Sequence, residues 1–209
     1  SAGKDHWQYP PKADHWMLPY TDERCVEVRT VTNCDSVKLF GPHWDGTMKD
    51  FGFRKTADYD NNTIIWNQPY RKDRIVYAIA YKDGVEVCRD TLQAHTEAVR
   101  VELEPDVTTI KADGQDLSHI KLTLYDANGI EAQADNRVVS VKVRGEGLFR
   151  CLDTGDLRRE GSFAGNTIKT YFGKALIVVQ STPNAGEMEV EVTVEGFDKP
   201  FIIPIKTMN

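Results

Sequence analysis

The four tryptophans are the side chains of this chain best suited to hold a ligand, because sugar rings stack on exposed indole faces. Trp44 follows His43 in a segment rich in glycine and proline, and function concentrates in such loops. Trp44 and His43 are therefore candidate carbohydrate contacts, with packing of their own loop as the alternative. Trp16 is the third candidate contact. Trp66 follows two isoleucines in an apolar strand, and we predict that it lies in a core.

Metal ligation and nucleophilic catalysis are not predicted. No two cysteines lie within two to four residues of each other, and no two histidines have metal-ligand spacing on one strand face. No serine or cysteine stands in a nucleophile motif. We expect no cofactor and no metal. We interpret the cysteines as buried free thiols, with a disulfide as the alternative; they are Cys25, Cys34, Cys88 and Cys151.

Aspartate and asparagine cluster in the turns of the C-terminal half, where they could form a calcium site. Calcium needs six to eight oxygen ligands at one point, and none of these stretches has the spacing of an EF-hand loop. Asp and Asn side chains also shape turns by bonding to nearby backbone groups. We therefore predict turn-forming roles for Asp113, Asp116, Asp135, Asn136, Asp153 and Asp156.

Strands must position these side chains, because apolar residues recur at every second position. Val37 and Leu39 alternate with polar residues, and so do the valines of residues 190–194. This period is typical of strands with one face in a core and the other in water. We find no convincing amphipathic helix of eleven or more residues. The dipeptide Asp83-Gly84 predicts a two-residue hairpin between two of the strands.

Many short strands between regular turns predict an all-β fold of two tandem immunoglobulin-like β-sandwiches. The 209 residues suit one or two domains. A strand ends near Leu92 and a fresh alternation starts at Val99, so we place the boundary within residues 93–97. The expected domains are 20–95 and 96–209. Residues 1–19 are expected to be an extended connector or an expression leader.

Composition excludes two classes of partner. The net charge of −6 describes an ordinary acidic surface, whereas a nucleic-acid binder is more often basic because it must neutralise phosphates. No stretch approaches 18 uninterrupted apolar residues, so we expect no membrane span. The polar start lacks the apolar core of a signal peptide. The location of the chain is left open by the sequence.

Several segments have an order and spacing that chance does not explain. Residues 110–118 have the sequence Ile-Lys-Ala-Asp-Gly-Gln-Asp-Leu-Ser, and residues 66–70 form a Trp, two residues, Pro-Tyr element. Further segments of this kind are 32–40, 78–84, 134–136, 153–156 and 173–181. Together they resemble the C-terminal part of a glycoside hydrolase family 2 enzyme of the β-galactosidase-like group.

The chain departs from this pattern in residues 41–60. The family has a tight Asn-Gly hairpin there, whereas this chain has Gly-Pro-His-Trp-Asp-Gly at 41–46, followed by Phe-Gly-Phe at 51–53. We therefore expect a longer and more aromatic loop in this region.

The resemblance implies a parent enzyme that hydrolyses O-glycosidic bonds of β-linked sugars. The catalytic barrel of such an enzyme needs about 250 residues, more than this chain holds. Its two catalytic carboxyl groups lie about 5–5.5 Å apart. In the family, one of them belongs to an Asn-Glu pair, and this chain has no such dipeptide. We therefore expect no catalytic residue in this fragment. Its expected roles are structural, interdomain or at the rim of the substrate pocket.

The partner that the resemblance implies is the catalytic barrel of the parent enzyme. Carbohydrate and copies of the same protein are further candidate partners. The family carries a His-Trp pair at the position of Trp16, which implies that Trp16 docks under the first sandwich, and Trp7 similarly. The resemblance suggests a periplasmic or extracellular parent.

Two alternatives stay open. One is an independent carbohydrate-binding module. The other is an adhesin- or invasin-like structural repeat, because such repeats resemble the Ala-Asp-Gly and Asp-Ala-Asn-Gly elements of the second domain.

Overall fold

The computed structural model describes residues 15–18, 24–156 and 165–209. The described residues form fifteen strands and two short 3₁₀ helices, with no α-helix among them. The predicted all-β fold of two sandwiches is confirmed. No helix in the described part of the chain is long and apolar enough to cross a membrane. The chain divides into a first unit ending at Ala94 and a second unit beginning at His95. Trp7 lies outside the described residues.

In the first unit, the described residues form six strands in two antiparallel sheets. One sheet pairs β1 with β4, and the other has the order β3-β2-β5-β6. Two 3₁₀ helices, Thr56–Asp58 and Asp60–Asn62, connect β3 to β4. The strands are β1 (Cys25–Val31), β2 (Ser36–Pro42), β3 (Met48–Lys55), β4 (Thr63–Pro69), β5 (Val76–Lys82) and β6 (Val85–Leu92).

Alternate residues of the two sheets meet in one core. Val37 and Leu39 on β2 are buried, as the period of two predicts, and they belong to the same cluster as Ile64 and Trp66 on β4. Burial of such side chains stabilises the fold by about 1.5–3 kcal/mol each. Because both sheets contribute to the cluster, it holds the first sandwich together.

Residues 41–55 complete a hairpin of β2 and β3, rather than forming the long loop that the sequence predicts. β2 and β3 remain paired up to Pro42 and Met48, and only residues 43–47 form the turn. Phe51 and Phe53 lie within β3. Proline, which has no N–H to donate, is tolerated at the end of β2 because β5 pairs with β2 only as far as Phe40.

Outside residues 157–164, the second unit forms nine strands in two sheets. One sheet has the order β11-β13-β9-β7, and the other has the order β12-β10-β14-β15-β8, in which β15 and β8 are parallel. The strands are β7 (Arg100–Pro105), β8 (Thr109–Lys111), β9 (Leu117–Tyr125), β10 (Val138–Gly145), β11 (Gly147–Asp153), β12 (Thr167–Lys169), β13 (Lys174–Ser181), β14 (Gly186–Val194) and β15 (Phe201–Met208).

The core of the second unit follows the predicted alternation closely. Leu122 and Leu124 on β9 and Val190 and Val192 on β14 are fully buried in one cluster. The two sheets therefore pack face to face around one core, as in a β-sandwich.

The four cysteines are free thiols. Cys34 is buried, as predicted, but Cys25 and Cys88 are exposed and Cys151 is half-buried. The prediction of buried thiols is therefore wrong for Cys25 and Cys88. On β1 the side chains of Val26 and Val28 take the inner face, which leaves Cys25 on the solvent side. Cys88 lies on β6, an edge strand with little burial.

Candidate functional site

The turn between β2 and β3 brings His43 and Trp44 together. The His43 N–H donates to Thr47 O at 2.8 Å, and the Gly46 N–H donates to His43 O at 3.0 Å. Gly46 has φ +82°, a left-handed conformation that glycine adopts at no steric cost. These contacts close a five-residue turn and fix its course, so the two predicted contact residues lie side by side at the end of the hairpin.

Asp45 stiffens this turn from within. Its Oδ1 accepts hydrogen bonds from the Thr47 hydroxyl at 2.6 Å and from the Thr47 N–H at 2.9 Å, and His43 Nδ1 lies 3.3 Å away. The bond from the Thr47 hydroxyl, then the bond from its N–H, lowers the pKa of Asp45 to about 2. Asp45 therefore carries its charge at neutral pH. Its bonds to Thr47 hold the turn from which the exposed Trp44 side chain extends.

Two arginines lie near Trp44. Its side chain is 47% exposed, and its carbonyl accepts a hydrogen bond from Arg71 Nη1 at 3.5 Å. A Cβ added at Gly46 would lie 3.6 Å from Arg74 Nη2 and 3.8 Å from Arg71 Nη2. We call residues 43–47 with Arg71 and Arg74 the hairpin tip. The sequence pointed to His43 and Trp44 but missed the two arginines, which follow β4 in the chain.

Trp16 lies in the core of the first unit, at 2% exposure. Its indole N–H donates to Arg71 O at 2.8 Å, and Tyr70 donates its hydroxyl to Trp16 O at 3.1 Å. The two rings lie 5.0 Å apart. Since protein covers both indole faces, Trp16 has no face to offer a sugar. The geometry instead matches the docking role that the family resemblance implies, and it anchors the backbone of Arg71 beneath the hairpin tip.

Trp66 is a core residue, as predicted, with 1% exposure. Its indole N–H donates to Thr30 Oγ1 at 3.1 Å, and the guanidinium carbon of Arg54 lies 4.4 Å from its ring centroid. A buried indole of this kind usually needs one partner for its N–H group, and Thr30 supplies it. Of the three described tryptophans, only Trp44 is therefore exposed.

The aspartates of the second unit bond to the backbone around them. Asp113 Oδ1 accepts from the N–H groups of Gln115 at 2.8 Å and Asp116 at 2.9 Å, which lowers its pKa. Asp116 Oδ2 accepts from the Lys111 N–H at 2.8 Å, and Asp153 Oδ1 from the Thr154 N–H at 2.8 Å. Asp and Asn shape turns in this way. The described residues include no group of three or more His, Cys, Asp or Glu placed to hold a metal ion.

An aromatic surface on the outer side of the β3-β2-β5-β6 sheet was not anticipated. Phe40 and Tyr77 stack with centroids 4.7 Å apart, and Phe53 and Tyr81 meet edge to face at 5.0 Å. Lys38 Nζ lies 5.0 Å from the Phe40 centroid and 5.1 Å from that of Phe53. We call these five residues the aromatic face. Cross-strand register places them together, and the interpretation of residues 51–53 as loop concealed it.

An open cleft of about 560 Å³ lies where the two 3₁₀ helices join β4. Its lining is polar, with Arg29 on β1, Tyr59 and Asn61 in the connection, and two exposed carboxylates. The carboxylates belong to Asp58 and Asp60. No local sequence pattern marks these residues, because the cleft forms only when β1 pairs with β4.

Comparison with known proteins gives the ancestry of the chain. Residues 101–202 match the family model of the glycoside hydrolase family 2 C-terminal domain 5. A β-galactosidase of Bacteroides ovatus is 25% identical over 191 residues, covering 91% of this chain and 20% of that protein. A β-galactosidase of Thermoanaerobacter pseudethanolicus is 24% identical over 190 residues, covering 91% of this chain and 22% of that protein.

A solved structure extends the similarity to both units. A glycosyl hydrolase family 2 member from Bacteroides cellulosilyticus matches with a TM-score of 0.84 and 31% identity, over 97% of this chain and 25% of that chain. This chain thus spans about a fifth to a quarter of the length of the relatives it matches. The chain corresponds to the C-terminal accessory domains of a glycoside hydrolase family 2 enzyme of the β-galactosidase-like group, with residues 101–202 as its C-terminal domain 5.

Proposed function

We propose that this chain is a non-catalytic part of a β-galactosidase-like glycosidase and supports a catalytic barrel carried elsewhere in the protein. The observation that carries the proposal is the match of 91% of this chain to only 20% of a β-galactosidase. We take the two supporting domains to be residues 20–95 and 96–209. They would brace the barrel, contribute interdomain contacts and lend a loop to the rim of the substrate pocket.

The carboxylates of the cleft do not make a convincing catalytic pair. A glycosidase needs one carboxyl group as general acid, and burial usually raises the pKa of that group. Asp58 and Asp60 are both exposed. This exposure favours a role other than acid catalysis for them.

The aromatic face supports an interdomain role. Phe53 is 59% exposed although it lies within a cluster of aromatic rings. Contiguous exposed apolar surface of this kind marks interaction sites more often than free surface. We propose the catalytic barrel as its partner, because the relatives carry this region within chains four to five times as long.

The hairpin tip supports a substrate-rim role. Trp44 projects from a turn that hydrogen bonds within the turn hold rigid, so stacking a sugar on its indole costs little conformational entropy. Arg71, Arg74 and His43 lie beside it and can donate hydrogen bonds to sugar hydroxyls. An exposed indole could also act without a barrel, which is the carbohydrate-module alternative.

An activity assay tests the non-catalytic assignment. We expect the purified chain to show no turnover of a chromogenic β-galactoside, since the described residues form no α-helix and so contain no catalytic (β/α)₈ barrel. The matched control is a variant with Asp58→Asn and Asp60→Asn. Steady turnover by the chain that this double variant abolishes would overturn the proposal, whereas equal traces in both preparations indicate a contaminating enzyme.

Titration with galacto-oligosaccharides separates the rim role from the independent module. If the hairpin tip only completes a pocket built by the barrel, Trp44→Ala should change no oligosaccharide affinity of the isolated chain. It should raise the KM of the full-length enzyme several-fold. Calorimetric binding by the chain alone that disappears in Trp44→Ala would instead establish a self-sufficient module.

A further inference from the structure

We infer that the cleft between the 3₁₀ helices and the β1-β4 sheet is a binding site for a neutral saccharide, separate from the hairpin tip. This inference goes beyond the proposed function, because neither the docking of a barrel nor the contact at Trp44 involves the cleft. It rests on the polar groups that the cleft presents, on its aromatic and apolar lining, and on its size and charge.

The cleft presents polar groups that the fold does not use. Among the described residues, the side chains of Asp58, Asp60 and Asn61 and the Tyr59 hydroxyl form no hydrogen bond with one another or with neighbours, whereas Thr63 Oγ1 donates to Asn61 O at 3.1 Å. Carboxylates accept and the Asn amide donates hydrogen bonds, so together they can satisfy the hydroxyl groups of a sugar.

Arg29 completes the donor set. Its Nε donates to Glu27 Oε1 at 2.5 Å, which orients the guanidinium along β1. The guanidinium also lines the cleft, so its remaining N–H groups are available to a ligand there. A guanidinium positioned in this way can donate two hydrogen bonds to vicinal hydroxyl groups.

The lining also contains the apolar surface that a sugar ring requires. Tyr59 is half-buried and packs against the core of the first unit, which holds its ring in place. Ile65 lies opposite Arg29 in the β1-β4 register and is 37% exposed. A pyranose has C–H groups on its faces and hydroxyl groups around its rim, which matches an aromatic and apolar patch surrounded by polar groups.

Size and charge select the class of ligand. The volume of about 560 Å³ falls within the range of small-molecule sites. One arginine faces two carboxylates, so the lining is net negative and disfavours phosphate or a uronate. A metal ion is disfavoured as well, because calcium needs six to eight oxygen ligands at one point. A neutral oligosaccharide of two or three units remains.

The cleft is independent of the hairpin tip in space. Residues 43–47 of the hairpin tip lie immediately before β3, which begins at Met48. The first 3₁₀ helix begins at Thr56, immediately after the end of β3. Eight residues of strand separate them, which is roughly 25 Å at about 3.3 Å per residue. One sugar ring cannot contact both, so substitutions at one site test the other as a control.

The test is an NMR titration of the 15N-labelled 209-residue chain with neutral β-linked trisaccharides of galactose, glucose, mannose or xylose. We expect saturable shifts of the Tyr59, Asn61 and Thr63 amides with at least one of them. The expected Kd is on the order of 1–10 mM, because an open cleft makes few contacts. A double variant with Asp58→Ala and Asp60→Ala should weaken this binding at least about five-fold.

Two controls make the result specific. Glu86→Ala removes an exposed carboxylate of β6 that does not line the cleft, and Trp44→Ala removes the indole of the hairpin tip. Neither substitution should change the ligand-induced shifts of the Tyr59, Asn61 and Thr63 amides. The inference is overturned if no trisaccharide produces saturable shifts, if the double variant binds as well as the natural chain, or if inorganic phosphate or glucuronate binds more tightly. None of these outcomes bears on the barrel-supporting role.

Discussion

Two carboxylates that bind the first residues of the second unit show how single residues stabilise this fold. Asp126 accepts hydrogen bonds from the N–H groups of Thr96, Asn128 and Ile130, at 2.8–2.9 Å. Asp135 accepts from the Ala98 N–H at 2.7 Å and pairs with Arg137. Burial raises the pKa of both carboxyl groups, but these hydrogen bonds outweigh it and leave both pKa values lowered.

The lowered pKa values predict loss of stability in acid. A carboxyl whose pKa is lower in the folded than in the unfolded state stabilises the fold above its unfolded pKa of about 3.9, and this contribution is lost as the pH falls through the folded pKa. We expect the unfolding free energy of the second unit to fall steadily below about pH 4. Urea unfolding over a pH series measures it, from the circular dichroism transition that the tryptophan fluorescence of the first unit does not follow.

Two substitutions test whether the Asp126 carboxyl contributes to this loss of stability in acid. Asp126→Asn should lower stability at pH 7 by about 1–3 kcal/mol and flatten the dependence on pH, because a buried acceptor of backbone N–H groups is changed. Asp198→Asn, at an exposed position, should change neither. An unchanged slope in Asp126→Asn would contradict the role given to this carboxyl.

Substitutions of Trp16 and Trp44 are expected to change the unfolding free energy by very different amounts. Trp16→Ala removes a buried indole and its hydrogen bond to Arg71 O, and should cost about 3–5 kcal/mol of unfolding free energy. Trp44→Ala removes an exposed indole and should stay within about 0.5 kcal/mol of the natural chain. Guanidinium unfolding followed by the fluorescence of the remaining tryptophans compares them. Equal costs would refute the burial of Trp16.

Hairpins are the elements whose turn chemistry follows most directly from sequence. Asp83 and Gly84 have φ values of +51° and +76°, the left-handed pair that a two-residue turn between β5 and β6 requires. The turn at the tip of β2 and β3 was harder to predict, because Gly41 and Pro42 are turn-forming types that here end a paired strand. Strand pairing overrode local propensity in that hairpin.

At the element scale, two glycines allow the cost of a left-handed backbone conformation to be measured apart from the cost of close packing. Gly129 and Gly145 have φ values of +77° and +78°, but a Cβ at 129 meets nothing within 4 Å, whereas a Cβ at 145 would lie 2.3 Å from Glu187 O. Gly129→Ala should cost about 1–2 kcal/mol for its conformation alone. Gly145→Ala should cost at least ~1 kcal/mol more, because backbone must move. Thermal unfolding gives the Tm of both variants. Equal Tm values would contradict the extra cost expected for Gly145→Ala.

At the scale of the whole molecule, the described residues bury two separate clusters, one for each unit. All four tryptophans precede His95, so intrinsic tryptophan fluorescence reports on the first unit alone. Circular dichroism reports on the strands of both units. The part of the dichroism change that the fluorescence does not follow therefore belongs to the second unit.

We expect a core substitution in one unit to leave the other unaffected. Ile177 is fully buried on β13, and Ile177→Ala should lower the unfolding free energy of the second unit by about 2–5 kcal/mol. The fluorescence midpoint of the first unit should stay where it is. If both midpoints moved together, the two units would have to unfold as one.

The sequence by itself determined the class of fold. Apolar residues at every second position of a strand lie on one face, because successive side chains point to opposite faces. Val190 and Val192 could therefore be assigned to a core without knowledge of a partner strand. The same local logic predicted the Asp83-Gly84 turn and the turn-forming role of Asp113. The resemblance to glycoside hydrolase family 2 likewise needed only the order of short segments.

Only the tertiary structure decided which side chains are available for function. Trp16 and Trp44 are the same residue type, yet Trp16 is covered because it packs in the core against Tyr70, 54 positions later. The aromatic face and the cleft likewise join strands that are distant in sequence. Such surfaces depend on cross-strand register and on contacts over long sequence separations, neither of which a local pattern encodes.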